Sequence, residues 1–163
     1  MNDDDIELDP PLLRPEPAYR HVLRINAAIM WVPLLIGALV ADRLLLAATP
    51  FAWLAPLVIG AVTLLAVIVA PDRIYRRLGY RIDERLLQAV RGWLIHVDTI
   101  VPFVRVQHID VTRSLFDKMF GTASLIVHTA GTHNSIVRVD GLAPANALAM
   151  RDTIRAHIRT DFE

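Results

Sequence analysis

Two long apolar runs dominate the pattern of hydrophobic and polar positions. Ile25 to Ala41 carries no charged side chain over 17 residues, and Leu44 to Ala70 carries none over 27. Only Asp42 and Arg43 stand between them. At about 1.5 Å of rise per residue, roughly 17 to 25 helical residues cross a hydrocarbon core of about 30 Å. The pattern therefore predicts a two-helix transmembrane hairpin over residues 25–70, with Asp42-Arg43 in the connecting turn and a second run long enough to span even if its first residues join that turn. Pro33, Pro50 and Pro56 fall in or beside the spans, where local kinks are tolerated. Gly37 and Gly60 permit close helix approach and self-association, but they form no GxxxG pair. A cleaved signal peptide does not fit, because the leader is acidic and no small-residue cleavage pattern follows the first run.

Past residue 70 the period changes to that of strands. Tyr80–Ile82 is followed by Asp83-Glu84-Arg85 as a turn. Leu86–Arg91 and Trp93–Phe103 flank Gly92 as a hairpin, and Val104–Arg113 follows as a further strand. Ala123–Thr129 and Ser135–Val139 flank Gly131-Thr132-His133-Asn134, whose residue types suit a second hairpin loop. Pro144 suits a first helical turn. Beyond it Ala143, Ala147, Met150, Ile154 and Ile158 recur at spacings of three and four, marking one apolar helix face. Val104 and Val106 share one parity while Ile109 and Val111 share the other. A strand with one buried face keeps its parity, so the swap predicts a bulge or bend near Gln107-His108. The organisation read from the pattern is an acidic tail (1–24), a membrane hairpin (25–70) and an antiparallel sandwich or barrel closed by a C-terminal helix (71–163).

Charge orients this arrangement. Lys plus Arg and Asp plus Glu both total 17, so the net charge is uninformative, but the distribution is uneven. Six acids precede residue 17 against the single Arg14, and residues 71–163 hold thirteen basic against ten acidic side chains. That excess is too small and dispersed for a nucleic-acid footprint. Arg14, Arg20 and Arg24 precede the first run and Arg73, Arg76 and Arg77 follow the second, whereas the connecting turn offers Arg43 offset by Asp42. By the positive-inside rule both termini of this multi-pass arrangement face the cytoplasm. Hydrophobic residues reach 54% and mean hydropathy +0.41, as membrane segments require.

Candidate chemistry is sparse. The chain has no cysteine, which removes disulfides, thiol nucleophiles and thiolate metal sites. Asp98, Asp110 and Asp117 are available acids, with His96 and His108 as bases; His96 with Asp98, and His108 with Asp110, share strand parity. Neither pair has a nucleophile in an activating context: Ser114 and Ser124 lie in ordinary surroundings. His96, His108, His128 and His133 are the metal candidates, but two imidazoles across a hairpin fall short of the three or four ligands zinc requires. The reading is non-enzymatic, with no cofactor and no metal.

Several motifs together resemble a known family. Gly79-Tyr80-Arg81-Ile82, then Gly92, VPFVRVQHIDV, FDKMFGTASLIVHTAG and Gly141-Leu142 occur in order over residues 73 to about 158. They look like the bacterial PH domain of YdbS-like membrane proteins, which also carry paired spans upstream. The resemblance implies a PH-like fold of about seven strands: two nearly orthogonal antiparallel sheets with a helix plugging one end. It implies no enzymatic activity, and it suggests work beside a larger membrane protein bearing several such domains. Phosphoinositide-binding PH domains place Lys and Arg around their first hairpin; here those turns are Asp83-Glu84-Arg85 and Arg91-Gly92, so specific recognition of that kind is not expected. Contact with anionic lipid falls instead to Arg73, Arg76 and Arg77 at the inner leaflet. A PH-like sheet edge accepts an extended peptide by strand addition, and Arg105, Gln107, His108, Arg113 and Lys118 are expected to line that partner surface. Phe116 and Phe120 are expected at its border or in the core. The primary expectation is a membrane-anchored interaction module, and the alternative is a sensor of anionic headgroups.

Overall fold

The computed structural model describes residues 11–130 and 135–160, the side chains of residues 159 and 160 excepted. Helix α1 (Tyr19–Leu46) and helix α2 (Leu54–Arg76) form the hairpin. Only 6% of the apolar window in α1 and 17% of that in α2 is buried within the protein. Core helices of a water-soluble domain would hide most of that surface, so these two present it to an apolar solvent. Each contains a π-helical turn, over Asp42–Leu46 and Leu65–Val69.

The reversal does not sit at Asp42-Arg43 as the charge pattern predicts. Helix α1 runs through both residues, and the chain turns over residues 47–53. The two charges serve the turn from inside the helix. The Asp42 carboxylate, 2% exposed, accepts the Trp53 backbone N–H at 2.8 Å, where Trp53 takes the left-handed conformation at φ 73°. The Arg43 guanidinium lies 3.7 Å from the centroid of the Trp53 ring. A buried carboxylate needs such a donor, and the ring takes up a charge that lipid would not solvate. Eighteen residues separate Arg24 from Asp42, about 27 Å along a helix axis, which matches a bilayer core.

Six strands follow among the described residues. β1 (Gly79–Ile82), β2 (Leu86–Arg91) and β3 (Val97–Pro102) form one antiparallel sheet in that order. β4 (Val106–Thr112), β5 (Ala123–Thr129) and β6 (Ile136–Leu142) form the second. Helix α3 (Leu115–Phe120) joins β4 to β5, and helix α4 (Pro144–Thr160) ends the domain. The core draws Leu87 and Val101 from the first sheet, Leu125, Val127 and Val139 from the second, and Ala147, Met150 and Ile154 from the predicted face of α4. This is an α+β arrangement consistent with a PH-like fold.

Three local details depart from the sequence pattern. The strand expected to begin at Trp93 begins at Val97, leaving residues 93–96 as a loop. The passage between sheets is a 3-10 turn, Phe103–Arg105, that drives Phe103 into the core at 2% exposure and leaves Val104 at 74%. Val104 therefore does not share a face with Val106, although the predicted irregularity is present as a register shift between Val106 and His108. Helix α3 was not visible as hydrophobic periodicity because it has only six residues. Its signal is the Ser114-x-x-Asp117 capping box. Asp117 accepts hydrogen bonds from the Ser114 backbone N–H (3.0 Å), Ser114 Oγ (2.6 Å) and Thr122 Oγ1 (2.6 Å).

The segment ahead of α1 is stitched into the domain. Leu13 and Tyr80 exchange backbone hydrogen bonds of 2.8 and 3.0 Å, extending the first sheet beside β1. The Glu16 N–H donates to the Gly141 carbonyl at 2.7 Å, and the Tyr75 hydroxyl donates to the Pro15 carbonyl at 2.8 Å. The acidic tail expected over residues 1–24 thus becomes ordered pairing by Leu13, while Asp3, Asp4, Asp5, Glu7 and Asp9 lie outside the described residues. On the hairpin side Arg24 bridges to Asp72 at 2.9 Å, tying α1 to α2 at the end from which β1 departs. Gly141 closes this joint: its φ is +74°, and a Cβ there would stand 2.6 Å from Cγ of Tyr19.

Two variants test these contacts. Gly141→Ala is expected to lose about 1–3 kcal/mol of stability through left-handed strain and the clash with Tyr19, read as a lowered thermal midpoint in detergent. Asp117→Ala is expected to lose about 1–2 kcal/mol with its cap. Burial pushes the Asp117 carboxyl up, but the Ser114 and Thr122 hydrogen bonds and the nearby Arg113 charge outweigh it and hold the group below the usual carboxylate range. A depressed pKa stabilises the folded state above the unfolded value and the effect fades as pH falls through the folded value. The stability difference between wild type and Asp117→Ala is therefore constant near neutrality and shrinks in acid.

Candidate functional site

β4 is the edge strand of the second sheet: β5 pairs with one side of it, and no described strand pairs with the other. Beside it opens a groove of about 570 Å³ between β4, α3 and α4. Arg113, Lys118 and Arg151 bring positive charge to it and Asp110 one negative charge, while Ile109, Val111, Pro144 and Leu148 form its apolar lining. Arg113 is held by donation from Nε to the Thr122 carbonyl at 3.1 Å, and Arg151 by Asp152 at 2.7 Å. The capping box on Asp117 fixes the helix that carries Lys118.

The structure thus gathers Arg113 and Lys118 and leaves the other expected partner residues elsewhere on the same edge. Arg105 is exposed in the 3-10 turn, where its carbonyl accepts the Ala130 N–H at 2.9 Å. Gln107 and His108 are exposed at the register shift and do not line the groove. Pro144, Leu148 and Arg151 were missed as site residues. They belong to a helix whose other face fills the core, and sequence spacing alone assigned α4 to packing. Phe120 is half-buried and stacks on His21 of α1, centroids 5.4 Å apart, so it fastens α3 to the hairpin.

Of the two histidine–aspartate pairs expected on one strand face, His108 and Asp110 meet. His108 Nε2 lies 2.9 Å from Asp110 Oδ1 and His128 Nε2 3.5 Å from Asp110 Oδ2, with the two rings 5.7 Å apart. These three side chains form a cluster on the surface of the second sheet. Asp98 accepts hydrogen bonds from Gln88 Nε2 at 2.8 and 3.0 Å. Among the described residues no group of three or more His, Cys, Asp or Glu is arranged to hold a metal ion, and His133 lies outside them.

A second, cationic cleft of about 360 Å³ lies where α2 ends. Arg76 and Arg77 line it together with Arg14 and His96, over Leu12 and Val90. Arg73, expected to act with the other two, does not line it. Arg14 and His96 enter because Leu13 pairs back onto Tyr80 and because the β2–β3 loop folds over the same end of the sheet. Neither proximity is readable from sequence separation. No carboxylate of the described residues forms an ion pair with Arg14, Arg76 or Arg77.

Comparison with known proteins agrees with this architecture. The family model described as "Bacterial PH domain" matches residues 25–158, covering hairpin and sheets together. The UPF0699 transmembrane protein YdbS of Bacillus subtilis (strain 168) is 33% identical over 101 residues, which are 60% of this chain and 62% of that relative. The match thus spans less than two thirds of the relative's length. No solved structure matches. Two exposed apolar helices and a transmembrane relative identify a membrane protein, and with a family model spanning residues 25–158 the chain belongs to the bacterial PH domain family.

Proposed function

We propose that this membrane-associated PH module is a non-enzymatic adaptor: a two-pass protein of a bacterial inner membrane, both termini cytoplasmic, that presents its domain to another membrane protein. Orientation rests on charge. Arg20, Arg24, Arg73, Arg76 and Arg77 cluster where the hairpin meets the domain, whereas Arg43 at the far end is covered by Trp53 and stands beside Asp42. The positive-inside rule places the arginine-rich end in the cytoplasm.

The observation that carries the adaptor reading is β4, an edge strand beside a groove in which the cations Arg113, Lys118 and Arg151 outnumber the single carboxylate Asp110 and flank an apolar floor. Strand addition supplies backbone hydrogen bonds, and the groove supplies side-chain selectivity. The lining favours an extended partner segment that alternates acidic and apolar residues, such as a loop of a larger membrane protein with several such domains or a second copy of this chain. A second reading, contact with anionic headgroups, is favoured by the cleft of Arg14, Arg76 and Arg77.

A photo-crosslinking amino acid at Leu148 tests the adaptor reading in native membranes. The expected result is a discrete adduct with a membrane protein, lost in Arg113→Glu/Lys118→Glu while the variant keeps its thermal midpoint. An adduct unaffected by those charges, or none, contradicts docking at this groove.

A further inference from the structure

The two ends of the first sheet differ in chemistry. β1 begins at Gly79, only two residues after α2 ends at Arg76, so Gly79 marks the hairpin side of the sheet. Gly79 pairs with Val90 near the end of β2, and Arg91 pairs with Val97 at the start of β3. The β2–β3 loop therefore projects past Gly79, back toward the plane where α2 emerges. The β1–β2 turn lies at the other end, about 10 Å away along β1, and carries Asp83, Glu84 and Arg85.

The loop on the hairpin side is apolar: Trp93 is 39% exposed, Leu94 86% and Ile95 75%. Three consecutive large apolar residues bared to water at a loop tip need a partner surface. The turn into this loop requires glycine, since Gly92 has φ +118° and a Cβ there would lie 1.7 Å from the Ile95 carbonyl oxygen. Immediately behind it His96 joins Arg14, Arg76 and Arg77 around the cationic cleft.

We infer that the Trp93-Leu94-Ile95 loop inserts into the interface of the leaflet from which α2 emerges, and that the cleft behind it binds the phosphodiester of an anionic phospholipid. The inference rests on the hairpin spanning the bilayer and deepens the headgroup-contact reading. An indole in the loop suits the headgroup boundary, Leu94 and Ile95 suit the acyl region below it, and arginines with no ion pair among the described residues attract anionic lipid. The loop supplies depth and the cleft supplies charge selectivity. The site also explains why the β1–β2 turn is acidic: in this orientation it faces away from the bilayer.

The test is depth-dependent quenching of tryptophan emission by brominated lipids in nanodiscs, using the full chain. Trp31→Phe/Trp53→Phe leaves Trp93 as reporter, and Trp53→Phe/Trp93→Phe leaves Trp31, inside α1, as the control. The expected result is quenching of Trp93 by shallow bromines with a blue shift, strengthened when phosphatidylglycerol joins phosphatidylcholine. Arg76→Gln/Arg77→Gln removes the strengthening and leaves the shallow quenching. Unquenched Trp93 beside quenched Trp31 overturns the inference alone; loss of both signals overturns the spanning hairpin beneath it. Equal quenching in both lipid mixtures overturns anionic-lipid binding by the cleft. Excess inorganic phosphate at constant ionic strength leaves the phosphatidylglycerol effect in place, and its abolition would reassign the cleft to free phosphate.

Discussion

Everything in this molecule depends on a joint without slack. Helix α2 passes into β1 through Arg77 and Leu78 alone, and the segment that precedes α1 pairs with the same strand through Leu13 and Tyr80. Both strands of connection between hairpin and domain are thus fixed by backbone hydrogen bonds, each worth about 1 kcal/mol net. Tyr19 on Gly141, His21 on Phe120 and Arg24 on Asp72 add side-chain contacts around them. A flexible linker would let the domain sample many orientations at a modest entropic cost. Here two linking residues and this set of contacts stand in the linker's place.

That constraint converts local chemistry into placement. Because the hairpin exit and β1 are consecutive, the loop at Trp93 lies on the hairpin side of the domain and the turn at Asp83 at the opposite end of the sheet. The groove at β4 belongs to the second sheet, on elements that α3 fastens to α1 through Phe120. Charge follows the same division: Arg14, Arg76 and Arg77, which have no ion pair among the described residues, gather at the hairpin exit, whereas Arg138 is neutralised by Asp140 on the second sheet.

Much of the architecture was legible because it rests on periodicity. Uncharged runs of 17 and 27 residues have few readings other than spans, and the spacing of Ala147, Met150 and Ile154 matches the buried face of α4. The shift near Gln107 was visible as a change of parity. What the sequence hid were contacts between distant segments. Nothing near Leu13 announces Tyr80, and nothing near Arg14 announces His96. The reversal was misplaced because Asp42 and Arg43 look like turn residues, yet each is satisfied from within α1 by Trp53. Likewise Val104 looks like a strand valine, and only the 3-10 turn that buries Phe103 sends it outward. Arg113 and Lys118 were readable as exposed cations; their shared groove required α4, whose apolar spacing pointed only to the core.

The central claim is that hairpin and domain form one rigid body. The absence of native cysteines makes it directly measurable. Spin labels at Ala48→Cys, in the turn between the helices, and Glu84→Cys, in the β1–β2 turn, report the span of the whole molecule in lipid nanodiscs. The account predicts a single narrow distance distribution by double electron–electron resonance. A broad or multimodal distribution, of the kind a flexible linker gives, would contradict it.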